Sequence, residues 1–169
     1  MLPTLKTILY ATDLGQHAPR VLRYALSLAR SYGGGIVIVH AVEPLGPAAR
    51  QMVELYTGRE DVGRSETIRW PELERSLQGR LRSLCEGEGC ADVPGGGLVT
   101  AMRILPGKPD EVILSEAARI APDVIVMGSH GHSTVGEILL GSTAHRVSQR
   151  ATVPVLLVRT DEADTNCGL

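Results

Sequence analysis

The strongest constraint on this chain is a rhythm. Short runs of β-branched and aliphatic residues alternate with longer stretches whose apolar residues recur every three or four positions. The short runs are Thr7 to Ala11, Ile36 to Val42, Val99 to Leu105, Val124 to Met127 and Val153 to Val158. Most are apolar on consecutive residues, the pattern of strands buried on both faces of a parallel sheet. Between them lie helical patterns. Ala18, Val21, Leu22, Ala25, Leu28, Ala29 and Tyr32 form one stripe, and Leu73, Leu77, Leu81, Leu84 and Cys85 a second. A third comprises Val112, Ile113, Ala117 and Ile120, and another helix is expected from about Gly141. Strands joined through helices close as right-handed crossovers, which predicts a three-layer α/β domain. With no Phe in the chain, its core must be built from Val, Ile, Leu and Ala, as such sheets are.

The breaks in the rhythm set the boundaries. Gly33-Gly34-Gly35 stops the first helix, Pro71 stands near the start of the second, and Pro106-Gly107 closes the third strand. From Glu43 to about Pro71 the sequence is irregular, with a possible short helix over 48–56, and reads as a surface excursion. Glu86 to Gly97 is a second loop, and the polar stretch Asp161 to Leu169 reads as a flexible tail. The expectation is a single domain over 1–160 followed by the tail 161–169.

Several function classes are disfavoured. A formal net charge of −2 lacks the basic footprint of a nucleic-acid or anionic-membrane binder. No apolar run approaches the length of a membrane span, and the N-terminal residues carry no signal pattern. Cys85, Cys90 and Cys167 match no zinc or disulfide framework and read as free thiols in a reducing cytoplasm.

The chemistry concentrates after the fourth strand. Met127-Gly128-Ser129-His130-Gly131 is followed by Gly141-Ser142-Thr143, a Gly-x2-Gly-x9-Gly-Ser array running from a strand into a helix start. Glycines let the backbone approach an anion, and first-turn N–H groups have no intrahelical partner, so this is how α/β proteins build a phosphate site. Ser142 and Thr143 equally suit helix caps, a role compatible with phosphate contact. His130 and His132 lie within the array and would suit a phosphate neighbour. Asp13, at the end of the first strand, reads either as a cap of the next helix or as an acceptor for ribose or adenine. If the first and fourth strands are neighbours, these turns and the end of the second strand at Ala41-Val42 converge on one crevice. His40 reads as a core or crevice-edge residue, and Lys108 as solvated. No Gly-x4-Gly-Lys-Ser/Thr loop, Gly-x-Gly-x-x-Gly after the first strand or Gly-x-Ser-x-Gly elbow is present. Arg146 is the basic residue one turn beyond Ser142, and its spacing with Arg150 equally suits a solvent face.

On these residues the chain resembles the universal stress protein family, in its ATP-binding branch. The resemblance rests on Ile8 to Asp13, Val39 to Val42, Gly107-Lys108-Pro109, Met127 to Gly131, Gly141-Ser142-Thr143 and Val153 to Val158. It implies a Rossmann-like, adenine nucleotide alpha hydrolase-like fold with a five-stranded parallel sheet in the order 3-2-1-4-5. It further implies that Asp13 and Ala41 contact adenine or ribose, that Ala11 and Thr12 line the base pocket, and that Gly128, Gly131, Gly141, Ser142 and Thr143 hold phosphates. Met127, His130 and His132 are counted with this cofactor-binding set. The implied ligand is ATP, with ADP and AMP as alternatives and Mg2+ carried by the nucleotide. Ala41 stands where a larger aliphatic residue is common, which implies a looser base pocket.

Two function classes follow: a nucleotide-dependent stress-response or signalling module, and a slow Mg-dependent ATPase or phosphotransferase. The missing cationic clamp favours the first. Pro154 places the fifth strand at a sheet edge, where Val-Leu-Leu-Val is an open pairing template. The resemblance implies antiparallel pairing of this strand, and hence a homodimer through 153–158.

Overall fold

The structure is a computed structural model and describes residues 3–43, 70–90, 97–129 and 140–160. The expected short helix over 48–56, the tail 161–169, and the site residues His130, Gly131 and His132 lie outside the described residues. In chain order the elements are β1 (Thr7–Ala11), α1 (Ala18–Tyr32), β2 (Gly35–Val42), α2 (Trp70–Gly87), β3 (Val99–Pro106), α3 (Pro109–Ile120), β4 (Val124–Gly128), α4 (Ser142–Arg150) and β5 (Val155–Val158). The strands form one parallel sheet in the order β3-β2-β1-β4-β5, as expected.

Strand periodicity divides the core in two. Successive side chains leave a strand on opposite faces. Ile8 and Tyr10 of β1 join Ile36 and Ile38 of β2 beneath α1 and α2, where Val21, Leu22, Ala25, Leu77 and Leu81 complete the layer. Leu9 and Ala11 join Val37, Val39, Ile125 and Met127 on the other face, under Val112 and Ile113 of α3 and Ala144 and Val147 of α4. β1 and β4 are central and mostly apolar because both faces are covered. Among the described residues, Tyr10 is the one large polar-tipped side chain fully inside, and its hydroxyl donates to the Ala18 carbonyl at 2.9 Å. Burial pushes its phenol upward, so it stays protonated.

Three details differ from the sequence expectations. On α1, Leu26 is buried and Tyr32 exposed, because the helix stripe ends a turn earlier than the apolar residues do. On α2, Leu73 is 37 % exposed, and only Leu77, Leu81 and Cys85 are fully inside. β5 begins at Val155, with Pro154 just before it and its carbonyl accepting from Ile125 N–H at 2.9 Å. The missing N–H of Pro154 therefore faces β4. The strand is an edge because it is last in the sheet, and alternation turns the main-chain groups of Val155 and Leu157 outward.

Candidate functional site

Strand order reverses about β1. The chain moves outward on one side through β2 and β3, then returns to the other side as β4. The carboxyl ends of β1 and β4 therefore lie side by side while their connections leave in different directions, opening a crevice. Register places Ala11 opposite both Val39 and Met127, so Thr12 and Asp13 emerge beside the last residues of β2 and β4.

The turn after β1 is tightly organised. Thr12 N–H donates to the Val39 carbonyl at 3.0 Å, which carries the β1–β2 ladder one residue past the strand. Thr12 Oγ1 accepts from Leu14 N–H at 3.0 Å, and Asp13 Oδ1 accepts from Gly15 N–H at 2.9 Å. These local turns hold Leu14 at φ 57, a left-handed conformation uncommon for a branched side chain. Arg80 of α2 donates to the Leu14 carbonyl at 3.0 Å and braces the turn from outside. Asp13 is thus not the cap of α1. The helix starts at Ala18 with His17 at its cap position, and no side-chain hydrogen bond closes it. The Asp13 carboxylate is exposed at the crevice.

His40 completes this side. Its Nδ1 lies 2.8 Å from the Thr12 carbonyl oxygen. A carbonyl only accepts, so Nδ1 carries a proton and donates it to this bond. Ala11 and Met127 are buried and Ala41 is half-buried, and all three pack on the α3–α4 face.

On the far side, β4 ends at Gly128, followed by the buried Ser129. Gly141 N–H donates to the Ser129 carbonyl at 2.8 Å, tying the start of α4 to the end of β4. Gly141, and not Ser142, occupies the cap position of α4, at φ −54 and ψ 145 and with no side-chain cap. The first intrahelical bond runs from His145 N–H to the Gly141 carbonyl at 2.8 Å. The N–H groups of Ser142, Thr143 and Ala144 thus stand in the uncapped first turn, with the positive end of the helix dipole behind them. Such an end takes an anion.

Arg146 faces elsewhere. Its Nη1 lies 3.5 Å from Asp110 Oδ1 on α3, and Arg150 Nη1 lies 3.5 Å from Asp110 Oδ2. Asp110 is only 5 % exposed. The two arginines form a clasp between helices, a role their sequence spacing did not reveal because the partner is remote in sequence. Lys108 makes a solvent-exposed pair with Glu111 at 3.7 Å. Among the described residues, no group of three His, Cys, Asp or Glu side chains converges as a metal site, and no helix is long and apolar enough to cross a membrane.

Of the expected set, the structure gathers Ala11, Thr12, Asp13, Ala41, Met127, Gly128, Gly141, Ser142 and Thr143 around one end of the sheet. The universal stress protein family model matches residues 4–159. The chain belongs to the universal stress protein family. A universal stress protein of Thermus aquaticus, named for its place in the QAH/OAS sulfhydrylase 3' region, is 34 % identical over 154 residues, covering 91 % of this chain and 98 % of its own. Among solved structures, hypothetical protein MJ0577 is similar with a TM-score of 0.70 at 23 % identity, covering 95 % of this chain and 100 % of that one. A universal stress protein solved in complex with cAMP has a TM-score of 0.54 at 21 % identity, covering 94 % and 100 %. At these identities the structural likenesses establish the fold alone. In this universal stress protein, the left-handed Leu14 is the crevice feature that motif reading missed, while His40, expected in the core or at the crevice edge, is brought by the fold to the Thr12 carbonyl.

Proposed function

We propose that this universal stress protein is an ATP-binding module of stress response or signalling, whose occupancy changes its conformation or its partners. The uncapped N-terminus of α4, tied by Gly141 to the end of β4, carries this reading. Its amides and the hydroxyls of Ser142 and Thr143 suit phosphate oxygens, with Gly128 allowing close approach. Asp13 and Ala41 would meet ribose and adenine, and Ala11 and Thr12 would line the base. The relative solved with cAMP supports an adenine nucleotide as the ligand class. ADP and AMP present the same base and sugar. Mg2+ arriving with the nucleotide would offset phosphate charge.

Holding is favoured over turnover. Phosphoryl transfer needs a cationic clamp on the transferring group. Arg146, the first arginine or lysine after Ser142, is drawn to Asp110. The open edge of β5 supports a homodimer through 153–158.

The test is thermal stability with nucleotide. Saturating ATP at about 100 times its Kd should stabilise the protein by roughly 2.7 kcal/mol. Ser142→Glu should keep or raise the stability of the free protein, since an acid in the first turn suits the helix dipole, while repelling phosphate and removing the nucleotide response. If ATP, ADP and AMP at millimolar concentration all leave the melting temperature unchanged, the reading is wrong.

A further inference from the structure

At the opposite end of the sheet, α2 closes in a way that pairs two cysteines. Gly89 has φ 66, Gly89 N–H donates to the Glu86 carbonyl at 3.3 Å, and Cys90 N–H donates to the Cys85 carbonyl at 3.0 Å. This nested pair of bonds around a left-handed glycine is the Schellman closure. It places the residue after the glycine against the residue one turn back in the helix. Apolar side chains usually meet there, and here both positions are cysteine. The two side chains are 6 % and 5 % exposed and lie in the same core cluster. Both are free thiols. A main-chain hydrogen bond of 3.0 Å between the two residues keeps their backbones close, and a disulfide closes over Cα separations of roughly 4.4–6.8 Å.

We propose that Cys85 and Cys90 form a modification site, a dithiol that closes to an intramolecular disulfide when oxidised by a peroxide. Burial pushes the Cys85 thiol up to about 12 and raises Cys90 as well, so both sulfurs rest as thiols. Once the turn opens to water, a thiolate formed at either sulfur attacks one oxygen of hydrogen peroxide, the O–O bond breaks, and the departing hydroxide takes a proton to become water. The other sulfur then attacks the resulting sulfenic acid. The S–S bond forms, the S–O bond breaks, and the departing hydroxide leaves as water with the proton that the second thiol gives up. Two thiols lose two electrons and two protons, and one peroxide becomes two waters. Because both sulfurs are buried, the reaction requires opening of the last turn of α2, so it answers sustained rather than brief oxidant exposure.

The bond would fasten a junction. Cys90 carbonyl accepts from Leu98 N–H at 3.3 Å, and Leu98 carbonyl accepts from Ile36 N–H at 2.8 Å, so the end of α2 is joined through Leu98 to the start of β2. The test uses the full chain carrying Cys167→Ser, which leaves Cys85 and Cys90 as its thiols. Prolonged hydrogen peroxide treatment should lower the intact mass by 2 Da and remove both thiols from titration in denaturant, with dithiothreitol restoring them. In a further Cys85→Ser variant, Cys90 should instead gain oxygen, because its resolving partner is gone. Retention of both thiols, or gain of oxygen on both sulfurs without the 2 Da loss, would overturn the proposal.

Discussion

Leu14 and Gly34 sit at opposite ends of the sheet and answer opposite backbone demands. Leu14 carries a side chain in a left-handed conformation, held by Thr12, Asp13 and Arg80 where the crevice begins. Gly34 lies between α1 and β2, where the chain passes against the segment entering β1. A Cβ there would lie 2.9 Å from the Lys6 carbonyl oxygen and closer still to that of Leu5. Backbone cannot yield as a flexible side chain does. Gly34→Ala is expected to destabilise by about 1–3 kcal/mol, read as a lower urea midpoint with an unchanged slope. Sequence reading assigned Gly33-Gly34-Gly35 to one task, stopping a helix. Gly33 performs it, with φ 62 and its N–H on the Ala29 carbonyl. The requirement at Gly34 was hidden, because it is set by residues nearly thirty positions earlier. Of the two readings Asp13 left open, the helix cap fails for a related reason: the chain makes a further turn before α1 starts, with His17 at the cap position, and local composition does not fix that delay.

Among the elements, α3 shows what apolar periodicity cannot report. Val112 and Ile113 face inward as the pattern predicts, yet Asp110 and Glu116 of the same helix are also buried. Each is compensated by cations from its own or another element. Glu116 is 3 % exposed and accepts from both Arg119 Nε and Nη2, while Arg103 Nε of β3 lies 3.1 Å from Oε1 without the alignment of a hydrogen bond. The Arg119 hydrogen bonds hold the Glu116 carboxyl below its ordinary 4.5, against the opposing effect of burial and with help from the Arg103 charge. A carboxyl depressed in the folded state contributes stability above its unfolded pKa and loses it as pH falls through the folded value. Glu116→Gln should therefore cost most near neutral pH, and its stability difference from wild type should shrink as pH falls below about 4.5. Chemical unfolding at stepped pH measures this, and a difference independent of pH would contradict it. The inward face of α3 was thus legible in its aliphatic residues and illegible in its acids, since the arginines that accompany them are chosen by the fold.

For the whole molecule, the alternation of strand and helix signals was enough to specify the layers, and the strand order implied by family resemblance is the one observed. The candidate site was legible to the extent that it lies on strand ends and glycines. The partners of His40 and Arg146 were not, because both bridge separate crossovers. The exposed edge of β5 bears on assembly. Its outward groups at Val155 and Leu157 are complete, because the proline precedes the strand and turns its missing donor inward. A homodimeric mass is expected at micromolar concentration. Val155→Pro removes an outward donor without touching the ladder to β4, and should give a monomer that still melts cooperatively. A monomeric wild type by sedimentation would exclude pairing through this edge.

The bond from Gly141 N–H to the Ser129 carbonyl has one further implication. It fixes both ends of the intervening segment independently of what that segment contains. Lengthening a closed loop costs only about 0.6 kcal/mol for each doubling. Insertions between these two anchors are therefore expected to cost little stability and to leave the sheet below unchanged.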